Sequence, residues 1–428
     1  MSSEDRSAAE FIEQAREITR AGPICDDCLG RAFGRRGRGL ANRERGEALR
    51  AILSMVDEGA RPGECWVCGG LLGRMDGWAE RAAEAAEGLE FATYLFGVRL
   101  SPRLAALEAH FEERFPTGDS EPLKHALNRT VGKRFECLFA GTTVDFEDPH
   151  LTFLIDLAAD TIRVHVASVF VYGRYRKLVR GIPQTRWPCR RCRGRGCDAC
   201  GFTGKQYPES VEEWIAAPFV EASGAKDDRF HGAGREDIDA RMLGEGRPFV
   251  LELRVPKRRT LDLVELRQTM NESAGGRVEV SRLSFVRRRT VEVVKETKAS
   301  KTYRVRVEIA EEVSPDVFRE ALRTLVGEIA QRTPRRVAHR RADLVRRRRV
   351  LAASGRLCDP THAEIEFETE GGLYVKELVS ADDGRTVPSL AERIGAAAFV
   401  TELDVIDVES AAFPDTSGEA VDIANWLP

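Results

Sequence analysis

Hydrophobic and polar residues follow two different periods along the chain, and these periods predict where helices and strands lie. Residues 8–20 place apolar side chains at helical spacing and stop at Gly22, a residue that commonly ends a helix. Residues 161–166 alternate with the two-residue period of a strand, and we expect residues 169–172 to continue the same sheet. Helical and extended patterns alternate from residue 78 to residue 187, which indicates a small α/β or α+β domain.

The second half of the chain is richer in strand patterns. Residues 301–309 alternate cleanly, with Tyr303 on the apolar face, and predict a strand. Ser210 and Glu213 have the spacing of a capping box and predict the start of a helix. The remaining predictions are strands at residues 249–254, 278–285, 290–294 and 399–408, and helices at residues 261–273 and 315–329.

Length and composition indicate a soluble chain with more than one domain. The 428 residues suffice for two or three full-sized cores. The chain is 42% hydrophobic and 32% charged, has no long apolar run and begins with a polar, acidic segment. We therefore expect a cytoplasmic protein with neither a membrane span nor a signal peptide. The net charge of −3 does not by itself favour binding to polyanions.

Eight of the ten cysteines fall in four Cys-x-x-Cys pairs, which in a long cytosolic chain indicates metal binding instead of disulfides. Two closed tetrahedral sites with a structural zinc ion are predicted. A redox role is the alternative at the first site, and iron is the alternative at the second. The predicted ligands are Cys25, Cys28, Cys65 and Cys68 for the first site, and Cys189, Cys192, Cys197 and Cys200 for the second.

Two segments concentrate cationic residues. Residues 172–187 interleave cations, which neutralise phosphates, with aromatic rings, which stack on unpaired bases. RNA contact is predicted there, and an exposed loop with anchoring aromatic residues is the alternative. The predicted contacts are Arg174, Tyr175, Arg176, Lys177 and Arg180. Residues 332–349 hold nine arginines and one acid, and we assign them, with Arg340 and Arg341, to the RNA backbone. A solvated helix face is the alternative for this run.

A glycine-rich loop places Arg235 two residues before Asp237 and leads directly into a predicted strand. A cation beside a carboxylate favours its ionised form, which suits a nucleophile or a ligand better than a general acid. The glycines precede the strand instead of following it, so the loop does not have the pattern of a dinucleotide-binding site. On these residues alone, a surface turn with an ion pair is the favoured interpretation.

Three motifs carry a resemblance to a known family. Gly234-Arg235-Glu236-Asp237 is similar to the Gly-Arg-Thr-Asp loop that carries the catalytic aspartate of pseudouridine synthases. The Lys-x-Tyr strand that contains Tyr303 and the Gly-Leu-Tyr-Val-Lys segment that contains Tyr374 and Lys376 resemble two further motifs of that superfamily. The run from residue 234 to 249 looks like the archaeal and eukaryotic tRNA pseudouridine-54/55 synthase family, and residues 153–172 resemble a THUMP domain.

The resemblance implies an α+β chain with four regions. These are a zinc-binding region at residues 1–77, a THUMP-like RNA-binding domain at 78–188, a four-cysteine zinc hairpin with a linker at 189–208, and a synthase domain on a mixed, largely antiparallel sheet at 209–428.

The resemblance also implies an enzyme that isomerises uridines 54 and 55 in the T arm of tRNA. It assigns Asp237 as the nucleophile, Arg235 and Lys376 as further catalytic residues, and Tyr303 and Tyr374 as residues that contact the flipped-out base. It implies no catalytic cofactor, tRNA as the partner, a monomer and no protein partner, and it leaves open whether Asp237 attacks the base or the sugar. A tRNA-binding protein without catalysis is the main alternative. A THUMP-containing methyltransferase would need a glycine-rich cofactor loop after a strand, a pattern that the sequence lacks.

Overall fold

The computed structural model of the chain describes residues 3–37, 39–56 and 63–409, and none of the helices in these ranges is long and apolar enough to span a membrane. The chain divides into two compact units, with the boundary between Ala167 and Ser168. The predicted boundary at residue 188 is wrong because the strand that begins at Val169 pairs with strands of the second unit.

The first unit combines helices with a small sheet. Its elements are α1 (Ser3–Ala21), α2 (Asp26–Arg31), α3 (Asn42–Val56), α4 (Met75–Ala85), β1 (Thr93–Arg99), α5 (Pro102–Arg114), α6 (Leu123–Leu138), β2 (Thr143–Val144), β3 (Leu151–Asp156) and β4 (Thr161–Val166). The strand order is β2-β1-β3-β4, and β1 runs parallel to both of its neighbours.

A single hydrophobic core joins the cysteine-rich segment to the sheet of the first unit. Cys28, Leu49, Trp78 and Phe135 all belong to this core, so residues 1–77 are not a separate domain as the sequence predicted. Helices α2 and α3 approach so closely that a Cβ atom at Gly30 would lie 1.8 Å from the carbonyl oxygen of Asn42. Only glycine permits this contact, which fixes the start of α3 against α2.

The second unit is built on one large sheet with helices packed against it. Its elements are β5 (Val169–Lys177), α7 (Val211–Ser223), β6 (Asp227–Gly232), β7 (Ala240–Arg254), α8 (Leu263–Ser273), β8 (Val278–Val286), α9 (Arg289–Glu296), β9 (Lys301–Ile309), α10 (Pro315–Leu325), β10 (Gly327–Arg332), β11 (Val345–Asp359), β12 (His362–Thr369), α11 (Val375–Ser380), β13 (Thr386–Val387), α12 (Leu390–Ile394) and β14 (Ala398–Val408).

The strand order is β13-β10-β11-β12-β9-β14-β7-β5-β8, with β6 paired to β7. The β14–β7 pair is parallel and the other pairs are antiparallel, which confirms the predicted α+β class with a mixed, largely antiparallel sheet. Two helix starts are also confirmed. The hydroxyls of Ser210 and Ser314 accept hydrogen bonds from the first turns of α7 and α10.

Several local predictions fail for identifiable reasons. Residues 290–294, predicted as a strand from their β-branched side chains, lie in α9, where Thr290, Val291 and Val294 are buried at helical spacing. The helix predicted at residues 315–329 ends at Leu325, and Ile329 lies in β10 instead. Residues 201–208 do not form an open linker, because the amide of Cys189 donates to the carbonyl of Gly204 and closes a hairpin.

Candidate active site

Asp237 lies in the loop between β6 and β7, on the second unit's sheet. Its carboxylate is 33% exposed, and Oδ2 lies 3.0 Å from the Nη1 atom of Arg336 and 3.6 Å from Nζ of Lys376. The loop starts at Gly234 with φ +78°, a conformation that favours glycine. A Cβ atom there would also lie 3.3 Å from the guanidinium of Arg247. The carboxylate is therefore half-buried between two cations.

Arg336 is a neighbour of Asp237 that the sequence analysis missed. It lies in the short 3-10 helix Arg335–Arg340, within the arginine run assigned to RNA. Its Nε atom donates to Glu377 at 2.6 Å, while its Nη1 atom reaches Asp237. Burial opposes the charge of Arg336, but the bonds to Glu377 and the negative charge of Asp237 outweigh it and raise the pKa of the guanidinium. Arg336 therefore stays charged and links two carboxylates.

Lys376, the other predicted catalytic residue of this site, lies beside Asp237 and has a second and closer partner. Its Nζ atom donates to Asp239 at 2.6 Å, a full ångström closer than the oxygen of Asp237. Burial would raise the pKa of Asp239, but the hydrogen bond and charge of Lys376 lower it overall. Lys376 thus connects two carboxylates of the same loop.

A buried network beneath the loop holds its backbone in place. The carboxylate of Glu236 accepts hydrogen bonds from the hydroxyl of Tyr175 at 2.8 Å and from Nε of Arg247 at 2.9 Å. The ammonium of Lys177 donates to the carbonyls of Asp237 at 3.1 Å and Ile238 at 3.2 Å. Burial lowers the pKa of Lys177 and raises that of Tyr175. The network fixes the backbone from which the Asp237 side chain projects.

These contacts correct the RNA assignments on β5. Arg174, Tyr175 and Lys177 are buried, and Arg174 donates to the carbonyls of Glu245, Gly246 and Val408. Buried side chains cannot contact an RNA phosphate or base, so the prediction of RNA contact is wrong for these three residues. Inside the unit, their polar atoms bond to backbone carbonyls and to the carboxylate of Glu236.

The remaining predicted RNA contacts lie nearer the surface. Arg176 is partly exposed and pairs with Glu279. Arg180 donates to the carbonyls of Asp239 and Leu403, and thereby supports the same loop from outside. Arg341 is exposed, and the side chain of Arg340 lies outside the described residues.

Tyr303 interacts electrostatically with Asp237 and Tyr374 lies beside Arg336, but neither tyrosine lines the cavity at Asp237. Tyr303 is on β9, where burial, opposed by the positive charge of Arg247 and assisted by the negative charge of Asp237, raises the pKa of its phenol to about 12. The backbone of Tyr374 forms two 2.9 Å hydrogen bonds with the side chain of Gln331, and its ring centroid lies 5.8 Å from the guanidinium carbon of Arg336. The phenol of Tyr303 is therefore neutral near pH 7.

A cavity of about 230 Å³ opens over the Asp237 side chain. Arg235 lies at this cavity with its guanidinium carbon 5.5 Å from the centroid of the Trp187 ring. Trp187 is fixed by the base of the cysteine hairpin, where its carbonyl accepts from the amide of Gln206 at 2.8 Å. The lining residues are Pro183, Gln184, Trp187, Arg235, Glu236, Asp237, Ile238, Asp239, Arg336 and Lys376.

The eight predicted metal ligands form two clusters in the described part of the chain. Within each cluster all four sulfur atoms lie within 4.8 Å of one another. Cys25 and Cys68 are 3.7 Å apart, and Cys189 and Cys197 are 4.0 Å apart. Four thiolates around one zinc ion at about 2.3 Å would be separated by about 3.8 Å. The distances between sulfur atoms in each cluster therefore fit one tetrahedral metal ion per cluster.

Comparisons with known proteins agree with this geometry. Residues 170–409 match the family model described as Pus10, C-terminal, and residues 78–156 match the model described as Pus10 THUMP domain, archaeal. The chain is 48% identical over 413 residues to the tRNA pseudouridine synthase Pus10 of Halorubrum lacusprofundi, which covers 94% of this chain and 96% of that protein. It is 43% identical over 430 residues to the protein of the same name from Methanothrix thermoacetophila, with 94% and 95% covered.

Solved structures add only a distant likeness. A chain in the crystal structure of a Cbf5-Nop10-Gar1 complex is 15% identical, with a TM-score of 0.32 over 55% of this chain and 48% of that chain. A likeness at this level carries no argument about the site.

Proposed function

The chain belongs to the Pus10 family of tRNA pseudouridine synthases, and on that premise we propose that Asp237 is the nucleophile with which it isomerises uridines 54 and 55 of the tRNA T arm. The observation that carries the proposal is the half-buried carboxylate of Asp237 between Arg336 and Lys376 at the cavity. The two cations hold this carboxylate at the cavity, and a nucleophile must be held within reach of the atom that it attacks.

The reaction requires few catalytic groups from the protein because it is an isomerisation. The bond between C1′ and N1 of the uridine breaks, a bond between C1′ and C5 forms, C5 loses a proton and N1 gains one. Atoms and electrons balance within the nucleoside, so the proposal includes no redox cofactor. In the proposal, an oxygen of the Asp237 carboxylate attacks the substrate. Arg336 and Lys376 hold this carboxylate and must leave that oxygen accessible to the uridine.

The target base must leave the RNA stack to reach Asp237, at a cost of a few kcal/mol. In the proposal the phenols of Tyr303 and Tyr374 contact the extruded uracil, since aromatic faces stack on bases and exclude water. Arg235 and Trp187 sit at the cavity and offer a cation and a ring to the neighbouring nucleotide. Arg176 and Arg341 remain proposed contacts to the RNA backbone.

Tritium release from tRNA labelled at C5 of uracil tests the activity, because every turnover discards that hydrogen. We predict that Asp237→Ala abolishes release and leaves tRNA affinity nearly unchanged, because the carboxylate acts only on the extruded uridine. The matched control is Asp239→Ala, which removes a neighbouring carboxylate and should retain most of the release. Transcripts with cytidine at position 54 or 55 should each lose about half of the release.

The outcomes separate the enzyme from the alternative of a tRNA-binding protein without catalysis. If the wild-type chain binds tRNA but releases no tritium, the result supports a tRNA-binding protein without catalysis. A large loss of affinity in Asp237→Ala would show that this residue holds the RNA instead of attacking it. Release that persists with cytidine at both positions would move the target away from the T arm.

From the family resemblance, we further propose that the protein acts on cytoplasmic tRNA as a monomer. Both four-cysteine clusters would hold structural zinc, because their sulfur spacing suits one tetrahedral ion. Elemental analysis of the purified protein should find about two zinc ions per chain. Cys192→Ser should lower that value to about one, and a chain that contains no zinc would contradict the proposal.

A further inference from the structure

A second cavity, of about 330 Å³, lies in the first unit, has no cysteine in its lining and has no role in the proposed chemistry. It forms where the segment before α3 meets the segment before α6. The residues that line it are Gly34, Arg35, Leu40, Asn42, Arg45, Ser120, Glu121, Pro122, His125 and Arg129.

Cations outnumber acids in this cavity. Three arginines line it against a single carboxylate, that of Glu121. Arg129 binds this carboxylate through two hydrogen bonds of 2.8 and 3.0 Å, and the amide of Asn42 donates to it at 2.6 Å. Glu121 is thus already hydrogen-bonded within the protein, and its single negative charge, which also attracts Arg45, faces three positive charges in the lining.

Among the lining residues, Arg45 gives the strongest evidence that the cavity binds an anion. It is 7% exposed, yet its hydrogen bonds go to neutral oxygens, namely the carbonyls of Arg36 at 2.7 Å and Leu40 at 3.0 Å and the side-chain amide of Asn42 at 2.7 Å. Burial, with repulsion from Arg129, lowers the pKa of Arg45. A buried guanidinium held by dipoles costs free energy that a bound anion would offset.

Other polar groups point to the same ligand. Helices α3 and α6 begin at Asn42 and Leu123, so the positive ends of two helix dipoles face the lining segments. The hydroxyl oxygen of Ser120 is buried and finds no hydrogen-bond partner among the residues that the structure describes. Buried hydroxyls are rarely left without a partner, and an anionic oxygen would accept from this one.

We propose that this cavity binds a phosphate group of the tRNA backbone, with Arg35, Arg45, Ser120 and His125 around it. The first unit then holds the RNA at a point separate from the extruded uridine. The identity of the RNA rests on the proposed function, whereas the anion site rests on the cavity itself. Inorganic phosphate and a free nucleotide also carry a phosphate group that could bind here. The test must therefore distinguish them from the phosphates of tRNA.

The test measures equilibrium binding of fluorescently labelled tRNA to the full chain between about 50 and 200 mM KCl. The variant is Arg35→Glu with His125→Glu, because both side chains are exposed and neither is needed to hold the fold. We expect tRNA binding to be roughly tenfold weaker. The negative slope of log affinity against log salt concentration should become smaller in magnitude by about 1. The milder Arg35→Gln should show the same direction of change and guards against a folding defect.

The control is Arg103→Glu, which places the charge change of Arg35→Glu on the exposed side of α5, outside the cavity. An effect of the control as large as that of the double variant would overturn the proposal, because only the net charge of the unit would then matter. Unchanged tRNA binding in the double variant would also overturn it.

Inorganic phosphate and adenosine monophosphate, titrated to millimolar concentration, form the second arm. If either binds the wild-type chain and loses affinity in the double variant while tRNA does not, the site takes a free anion and the RNA assignment is wrong. These binding measurements need no turnover. A failed tritium-release assay would therefore overturn the proposed function and leave the anion site to be judged by its own result.

Discussion

Two segments rich in cations, residues 172–187 and residues 332–349, carry the same signal in the sequence and have different roles in the structure. The first contains β5, whose side chains are buried along almost its whole length. The second begins at the end of β10, passes through a 3-10 helix and enters β11, whose arginines alternate between exposed and half-buried positions. Both strands have neighbours on each side, so strand pairing does not explain the difference.

The difference in burial between the two segments depends on what packs against each face of the sheet and on which groups bind the cations. On β5, Arg174 and Lys177 reach backbone carbonyls and hold the Asp237 loop and the strands around it. In the second segment, Arg336 turns inward to Asp237 and Glu377, while Arg335 pairs with Asp383 at the surface. A cluster of cations in a sequence therefore predicts neither RNA contact nor burial until the fold is known.

The largest expected effect comes from Lys177 on β5. We predict that Lys177→Met lowers the free energy of unfolding by about 3–5 kcal/mol, because it leaves buried carbonyls without a donor and removes a cation near Glu236. Urea denaturation followed by tryptophan fluorescence measures the change. The control Arg176→Met, one residue earlier, breaks a partly exposed ion pair and should cost under about 1 kcal/mol. Equal losses in the two variants would contradict the distinction between buried and exposed cations on this strand.

A smaller effect, on catalysis, is expected from Arg336. Arg336→Ala should lower kcat for tritium release about 100-fold, because Asp237 loses a close cation and its fixed position, while tRNA affinity stays within a few-fold. Its sequence neighbour Arg335 provides the control, since Arg335→Ala removes the same charge from a surface pair. If both variants lose affinity and neither loses kcat, Arg336 belongs with the RNA contacts, as the sequence had indicated.

The smallest effect concerns Lys301, a third cation beneath the same loop. Burial, with repulsion from Arg247, lowers its pKa to about 8, against about 10.4 in an unfolded chain. Between these values the unfolded chain binds a proton that the folded chain has lost, so the free energy of unfolding rises with pH by up to about 1.4 kcal/mol per unit. Lys301→Met should flatten this rise between about pH 8 and 10.

The exposed residue Lys298 supplies the control for that measurement, and Lys298→Met should leave the slope unchanged. A wild-type protein whose stability does not rise over this range would show that Lys301 stays charged in the fold.

Short-range patterns predicted the parts of the molecule that depend on neighbouring residues. The strand at residues 301–309 and the helix that begins after Ser210 follow from side-chain period and capping, and both are confirmed. The strand predicted at residues 290–294 failed because β-branched residues can also fill the buried stripe of a helix. The continuation of the first sheet into residues 169–172 failed because a strand pattern does not specify which sheet the strand joins.

The sequence by itself determined the class of fold, the two sets of four cysteines, and the position of Asp237, Tyr303 and Tyr374 in motifs that resemble those of a known family. Only the tertiary structure decided that Arg336, 99 residues from Asp237, lies beside its carboxylate, and that Arg174 and Lys177 are interior. The physical reason is that periodicity, caps and turn residues are set by neighbours in the chain. The partner and the burial of a charged side chain depend instead on strands and loops that are distant in sequence and meet when the chain folds.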